Sequence, residues 1–366
     1  MRGRVPIARR NLLADRRRLA TGVFGVGVSI ALIFLLQGLW GGVLKQASAY
    51  EDGVGAQLWV GDRGTSNTFE SSVVPLTAVD RIRAIPGVDR ADPILIRSTV
   101  LTLHGRKVLA SVIGSRPGAM GGAWSLPVGR APRSNGEIVV DRGLAAQHGI
   151  GLGGRIEVAG EAFAVVGLSA GTRSWMGAYV FMTFDAARNL FHFPDAAAFV
   201  LVRTQHPSSV AGAIERQTGL SAVLRETIRR NDRTLLAGVM KGPLDLMVAI
   251  AFAAGTMIVA LTIYSAVVER AREYGIVKAL GTSGTRLLRI VLGQTSALAA
   301  LGVAAGYVIF RGAAALVVRL RPQFLVSLAG SRILWVVAAA GLMAVLAAIL
   351  PARRIAQLDP ATVYRG

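Results

Sequence analysis

Four stretches of this chain carry no charged residue and are each long enough to cross a bilayer: 20–44, 246–268, 290–310 and 333–352. A hydrocarbon core ~30 Å thick takes ~20 helical residues, and only a helix satisfies its own backbone groups there. Charge closes each run: Arg18 before the first, Asp245 and Glu269 around the second, Arg289 and Arg311 around the third, Arg332 and Arg353 around the fourth. Buried helices of a water-soluble core are the competing reading. Four such runs in one chain of 366 residues, 52% of them apolar, argue against it. The first run is too long for the apolar region of a secretory signal and lacks a convincing small-residue cleavage site, so it is read as a retained anchor.

The net charge of +20 comes almost wholly from Arg, since Lys occurs only at Lys45, Lys107, Lys241 and Lys278. Such an excess suits nucleic acid or an anionic membrane surface, and its placement decides between them. Arg2, Arg4, Arg9, Arg10, Arg16, Arg17 and Arg18 precede the first run, while Arg270, Arg272, Lys278, Arg286 and Arg289 separate the second from the third. Arg353, Arg354 and Arg365 follow the fourth; only Arg311, Arg319, Arg321 and Arg332 lie between the third and fourth. Short basic loops stay inside. Both termini are therefore expected in the cytoplasm, with the long segment after the first run outside and no nucleic-acid partner. Cysteine is absent, which excludes disulfides, thiolate metal sites and Cys nucleophiles. His104, His148, His192 and His206 show no ligand spacing, so no metal is expected.

The segment outside alternates strand-like and helical patterns. Strands are expected at 57–60, 98–103, 108–113, 137–140, 163–167, 179–182 and 199–202. A helix capped by Thr77 carries Val79, Ile82 and Ile85 and stops at Pro86-Gly87; others start near Phe184 and after Pro207. This is a compact α+β domain, with a division into two lobes near 117–132 left open. Residues 220–245 read as an amphipathic stalk helix with Val223, Ile228, Leu235 and Val239 on one face. Gly242-Pro243, at its foot, is either a hinge or a helix break tolerated at the interface.

Beyond the second run, residues 268–281 read VERAREYGIVKALG. This segment resembles the signature loop of the FtsX-like permease family, the transmembrane subunits of MacB-type and related ABC transporters. The resemblance extends to Ala8-Arg9-Arg10-Asn11-Leu12-Leu13, to the close at Pro351-Ala352-Arg353-Arg354 and Asp359-Pro360, and to Ile85-Pro86-Gly87-Val88 and Gly136-Glu137-Ile138-Val139-Val140-Asp141 outside, which are similar to a MacB-like periplasmic core domain. Gln294 departs from the Glu common in the family. The family implies a short cytoplasmic helix docking into an ATPase subunit through Glu269, Arg270, Arg272, Glu273, Tyr274, Gly275, Ile276, Lys278, Leu280 and Gly281. The residues agree with that role: Ile276 and Leu280 offer apolar surface, Arg272, Glu273 and Lys278 offer charge, and Gly281 suits a helix end.

The expected architecture is an α-helical membrane protein with four transmembrane helices and a large α+β extracytoplasmic domain inserted between the first and second span. In order it comprises a basic cytoplasmic helix (1–19), span 1 (20–44), the outer domain (45–219), the stalk (220–245), span 2 (246–268), the coupling helix (269–289), span 3 (290–310), a short outer loop (311–332), span 4 (333–352) and a cytoplasmic tail (353–366). Gly302 and Gly306 form a small-residue pair for close helix approach, within the subunit or between two permeases. No phosphate loop is present and no Gly-Lys pair occurs, and no catalytic cluster stands out. The chain is thus expected to be a non-catalytic permease without a cofactor of its own. Two copies of a separate ATPase subunit would bind ATP and Mg. The resemblance implies a second permease copy (homodimer or close paralogue), the bacterial inner membrane, and an extracytoplasmic adaptor or hydrolase as further partner. ATP-driven export by mechanotransmission is the leading function, and signalling to a cell-wall hydrolase without transport is the alternative.

Overall fold

The computed structural model describes residues 16–356 apart from 71, 176, 270, 274, 275, 277–281, 283, 322 and 323. The expected basic helix before Arg16 and the tail after Ala356 lie outside the described residues. The chain divides into two units, 1–42 with 241–366, and 43–240.

The first unit is helical. Helix α1 (Arg16–Ala47) contributes most of its length, and a short helix α2 (Ala49–Gly53) follows in the second unit. Helix α7 (Arg225–Glu269) enters the first unit at Lys241; α8 (Gly284–Leu320), α9 (Gly330–Ala347) and α10 (Ile349–Ala356) complete it. Four of these helical segments are long and apolar enough to cross a membrane. Their packed faces meet around Val26, Ile30, Phe34, Val259, Ile263, Val291, Leu298, Val336 and Met343. Their other faces expose large apolar side chains, Leu334 at 71% and Val308 at 70% among them. A water-soluble protein scatters such residues rather than lining helices with them; lipid is the solvent that tolerates this surface.

Two expectations need correction here. Half of the loop expected at 311–332 is helical, because α8 continues to Leu320. The Ala313-Ala314-Ala315-Leu316 run favours helix strongly enough that Arg311 and Arg319 mark charge on a helix end rather than its limit. Of the two readings of Gly242-Pro243, the helix break is the one overturned, because Pro243 lies inside α7 without ending it; proline removes one internal hydrogen bond and a helix can continue through it.

The second unit is built on an 11-stranded sheet. Its first part pairs β1 (Leu58–Gly61), β3 (Arg90–Leu103), β12 (Phe199–Arg203) and β13 (Ser221–Leu224) in the antiparallel order β13-β1-β12-β3. Helix α3 (Leu76–Arg83) joins β1 to β3, and α6 (Pro207–Thr218) joins β12 to β13. This is a split βαβ arrangement. Both helices pack on one face through Val79, Ile82, Val210 and Ile214, against Leu58, Val60 and Val200.

Everything from β4 to β10 is inserted between β3 and β12. The strands are β4 (Arg106–Ser115), β5 (Val128–Gly129), β6 (Glu137–Asp141), β7 (Arg155–Val158), β8 (Glu161–Ser169), β9 (Arg173–Ser174) and β10 (Gly177–Thr183). Pairing runs β3-β4-β10-β6-β8-β7 and returns to β3, so six strands close a ring. Closure leaves no unpaired edge among them. Leu101, Val112, Val140, Val158, Phe163, Val165 and Val180 form the core of this part. Helices α4 (Arg142–Gln147) and α5 (Phe184–Leu190) start at Asp141 and Thr183, whose side chains accept from backbone N–H groups of the first turn. The β3–β4 hairpin turns through His104 and Gly105, both at positive φ, which matches the twist of the strands. A two-stranded pair, β2 (Val74–Pro75) with β11 (Ala196–Ala197), lies apart.

Strand β3 therefore belongs to both parts, and a division near 117–132 is not where the lobes meet. The sequence placed this strand at 98–103; it begins at Arg90, and Pro93 pairs with Val200. A proline argues against a strand interior, which is why the first half escaped notice. Thr77 does not cap α3: the helix starts at Leu76 with Pro75 at the cap position. Residues 221–224 are strand rather than stalk, because they pair with β1.

Candidate functional site

The sequence points first to the charged segment after α7. Among the described residues of that set, Glu269 closes α7, Arg272 and Glu273 are helical, and so is Ile276. All four are exposed, which leaves Ile276 as an apolar side chain on a charged surface. Arg270, Tyr274, Gly275, Lys278, Leu280 and Gly281 lie outside the described residues.

Gly302 and Gly306 face α1 of the same chain. A Cβ on Gly306 would stand 2.8 Å from the Gly27 carbonyl oxygen and 2.9 Å from Ile30, and one on Gly302 would overlap Val26. Small residues on α1 answer them, since Gly27 meets Ala305 and Gly306. The loop after α8 presses equally close: Ser327 N–H donates to the Gly38 carbonyl over 2.8 Å, and side chains at Gly41 or Gly42 would strike the carbonyls of Ser327 and Leu325. Arg332 donates to the backbone oxygen and Oε1 of Gln37 at 3.1 and 3.0 Å.

A cluster that the sequence did not announce ties the start of α7 to the segment around α2. Arg233 Nη2 and Nε donate to Ser48 Oγ at 2.7 and 3.1 Å, and Nε also reaches the Leu44 carbonyl at 3.2 Å. Arg229 pairs with Asp52 at 3.4 Å and with Glu226 at 2.6 Å. Asn231 donates to the Ser66 carbonyl over 2.8 Å. Asp232 is fully buried and accepts from Thr68, from its backbone N–H at 3.0 Å and its hydroxyl at 2.7 Å. The inward row of this helix is Ile228, Asp232 and Leu236, spaced i, i+4, i+8. Leu235 and Val239, expected on the buried face, are exposed instead, Val239 at 64%. The row carries a carboxylate at its centre, so a reading based on apolar periodicity selects the wrong neighbours.

Asp232 meets a second acid, Glu51 on α2, only 2% exposed. Burial, and then the hydrogen bond to Asp232, push the Glu51 carboxyl well above its usual range. Beside it Tyr50 is buried among Trp59, Trp124 and Tyr179, with ring centroids 5.5 to 6.0 Å away, and its hydroxyl donates to the Gly121 carbonyl over 2.9 Å. Burial, followed by the nearby Glu51 charge, raises Tyr179 above the ordinary phenol range. No group of three or more metal-ligating side chains occurs among the described residues.

The chain matches the family described as MacB-like periplasmic core domain over residues 19–219, and the family described as FtsX-like permease C-terminal over residues 246–360. Among curated relatives, an uncharacterized ABC transporter permease of Mycobacterium tuberculosis is 22% identical over 364 residues, covering 98% of this chain and 99% of the relative. A second from the same organism, also uncharacterized, is 23% identical over 366 residues with the same coverage. Among solved structures, the periplasmic region of MacB from Actinobacillus actinomycetemcomitans aligns with 49% of this chain and 92% of its own length, at 12% identity and a TM-score of 0.38. The extracellular domain of the noncanonic ABC-type transporter YknZ from Gram-positive bacteria aligns with 46% of this chain and 98% of its own length, at 13% identity and a TM-score of 0.35.

Proposed function

The chain belongs to the FtsX-like ABC transporter permeases that carry a MacB-like periplasmic core domain, and from that premise we propose that it relays force from a separate ATPase to its outer domain. Membership makes it a multi-pass membrane protein that works with an ATPase subunit. The finer reading is that the charged segment from Glu269 to Gly281 docks into that ATPase on the cytoplasmic side, with both termini there and unit 43–240 outside. The ATPase binds ATP and Mg; this chain binds neither and catalyses nothing. Two permease copies and two ATPases form the working unit in the inner membrane, and nucleotide-driven closure of the ATPases tilts α7.

The observation that carries this reading is the FtsX-like match over 246–360, because it takes in the later part of α7 and all of α8, which flank the charged segment. The cluster around Arg233 and Asp232 supports it, since α7 is one helix from Arg225 to Glu269 and its first turns are held to Ser48, Asp52 and Thr68. A helix braced in this way moves its attachments when it moves. Export of a substrate by this motion is the proposed outcome.

The test uses the purified permease with its cognate ATPase in nanodiscs. Glu273→Lys and Gly281→Leu are each expected to lower co-purification and to abolish the change in ATP hydrolysis that the permease causes. Unchanged assembly and unchanged hydrolysis in both variants would overturn the docking assignment.

A further inference from the structure

The second unit contains a cleft of about 470 Å³ between the helix ends and the sheet, lined by Glu51, Phe69, Trp175, Tyr179 and Phe193 among others. That volume is in the range of sites for small organic ligands. Two features mark it as more than a packing gap. Glu51 is almost wholly buried yet borders the cleft, and its Oε2 has no hydrogen-bond partner among the described residues. Trp175 Nε1, also on the cleft wall, is a buried donor without an acceptor among them. Buried polar atoms are nearly always satisfied, and leaving one unmet is costly. An unmet acceptor and an unmet donor bordering the same cavity describe two halves of a recognition site.

The chemistry of the walls selects the ligand. Glu51 and Asp232 sit in hydrogen-bond contact, and the pair bears negative charge once either acid gives up its proton. Glu70 adds another carboxylate to the lining. Among the described residues of the lining Arg97 is the one basic side chain, and its guanidinium lies 5.2 Å over the Phe193 ring. Phe69 and Trp175 meet edge to face at 6.1 Å. Exposed apolar residues (Phe69, Val73 and Leu235) also line the cleft. Carboxylates with aromatic faces attract a cation, and the apolar lining favours one with a hydrophobic body. An anion would meet the acid pair, and a neutral molecule would leave that charge unanswered.

We propose that this cleft binds an amphiphilic organic amine, whose ammonium N–H donates to Glu51 Oε2 while an acceptor atom on its apolar body takes the Trp175 indole N–H. Binding needs neither nucleotide nor ATPase. The inference rests on the permease reading only for the further step that such an amine is cargo, so the two stand or fall by different measurements.

The test is equilibrium binding of dansylcadaverine to the full chain in nanodiscs without ATP, set against dansylamide, which lacks the ammonium, and dansylglycine, which is anionic. Empty nanodiscs supply the lipid background. Saturable binding of dansylcadaverine alone is expected. Glu51→Gln should weaken it about 10- to 100-fold, the value of a charge-assisted hydrogen bond, and Trp175→Phe about fivefold. Val73→Arg, an exposed position on the lining, should remove binding without touching the buried pair, and it decides the matter if Glu51→Gln proves unfolded by thermal melting. Equal uptake of the three dyes, or dansylcadaverine binding unchanged in folded Glu51→Gln and Val73→Arg, would overturn the proposal.

Discussion

The two units solve the same packing problem with opposite materials. In the helical unit, contacts are made by removing side chains: Gly22 meets Thr262, Gly25 meets Ile258, Gly306 meets the Gly27 carbonyl, and Gly255 meets Ser29 and Met343. In the sheet unit they are made by adding them, with Tyr50, Trp59, Trp124, Tyr179, Phe181 and Phe199 in one aromatic cluster. The difference follows from the solvent. Lipid gives no hydrophobic drive for helices to associate, so close backbone approach supplies the contact energy. Water supplies that drive to the sheet unit, where large apolar area counts for most. The same logic separates their polar groups: acids are buried in the sheet unit at Glu51, Asp92, Asp141 and Asp232, while Ser29, Gln294 and Thr295 are the buried polar side chains described in the transmembrane helices.

That contrast breaks most readily at its tightest point. Gly306→Leu forces a side chain into a space bounded by backbone at 2.8 Å, and overpacking typically costs about 1–3 kcal/mol or more. The backbone cannot yield as a side chain can, so the expected result is loss of folded subunit in detergent, read by size-exclusion yield and thermal melting. If Gly306→Leu folds normally, small residues are not what hold the helices.

Asp232→Ala probes the opposite material. It strips two acceptors from Thr68 and leaves Glu51 without its partner, and a loss of about 2–3 kcal/mol is expected from unmet buried groups. Urea unfolding followed by Trp fluorescence measures it. Asp232→Asn should cost less, as the amide keeps one acceptor.

Titration sharpens the comparison within the sheet unit. The folded pKa of Glu51 lies above its unfolded value of about 4.3, so its favourable contribution is complete at lower pH and disappears as pH rises through the folded pKa. Glu137 behaves oppositely. Arg130, with the backbone N–H of Arg133 and Ser134, pulls its carboxyl down to about 2. Its contribution is present above about pH 4.3 and is lost as pH falls toward about 2. Melting temperature against pH should therefore lose its alkaline decline in Glu51→Gln and part of its acid decline in Glu137→Gln.

The smallest effects belong to the surfaces. Val308→Ser on α8 and Leu109→Ser on β4 both replace exposed apolar residues, and each should alter folded stability by no more than about 0.5 kcal/mol. Only Val308→Ser should reduce membrane-inserted yield, because lipid penalises the hydroxyl that water accepts.

How much of this was legible in the chain differs between the units for the same reason. The charge-free runs at 20–44, 246–268 and 290–310 each lie inside a longer helix, and 333–352 spans α9 and α10. A span is a local object: composition over some twenty residues specifies it. Most strand segments were visible too, since alternation is local. Lost were β7, the first half of β3, hidden behind Pro93, β13, which has strand character only because β1 pairs with it, and the two-residue strands β2, β5, β9 and β11. The candidate site was less accessible. The charged segment from Glu269 was readable as a motif, whereas nothing near Glu51 in the sequence hints at Asp232.

By itself, the order of residues determined the membrane-crossing character, the family and the place of the charged segment, because hydropathy and charge act on contiguous stretches. Tertiary structure alone decided that β3 serves both parts of one sheet, that six strands close into a ring, that Gly302 and Gly306 serve α1 of the same chain, and that two acids from distant segments share one buried site. Those outcomes depend on which surfaces meet, and burial changes the energy of a charge or of a missing side chain only after they have met.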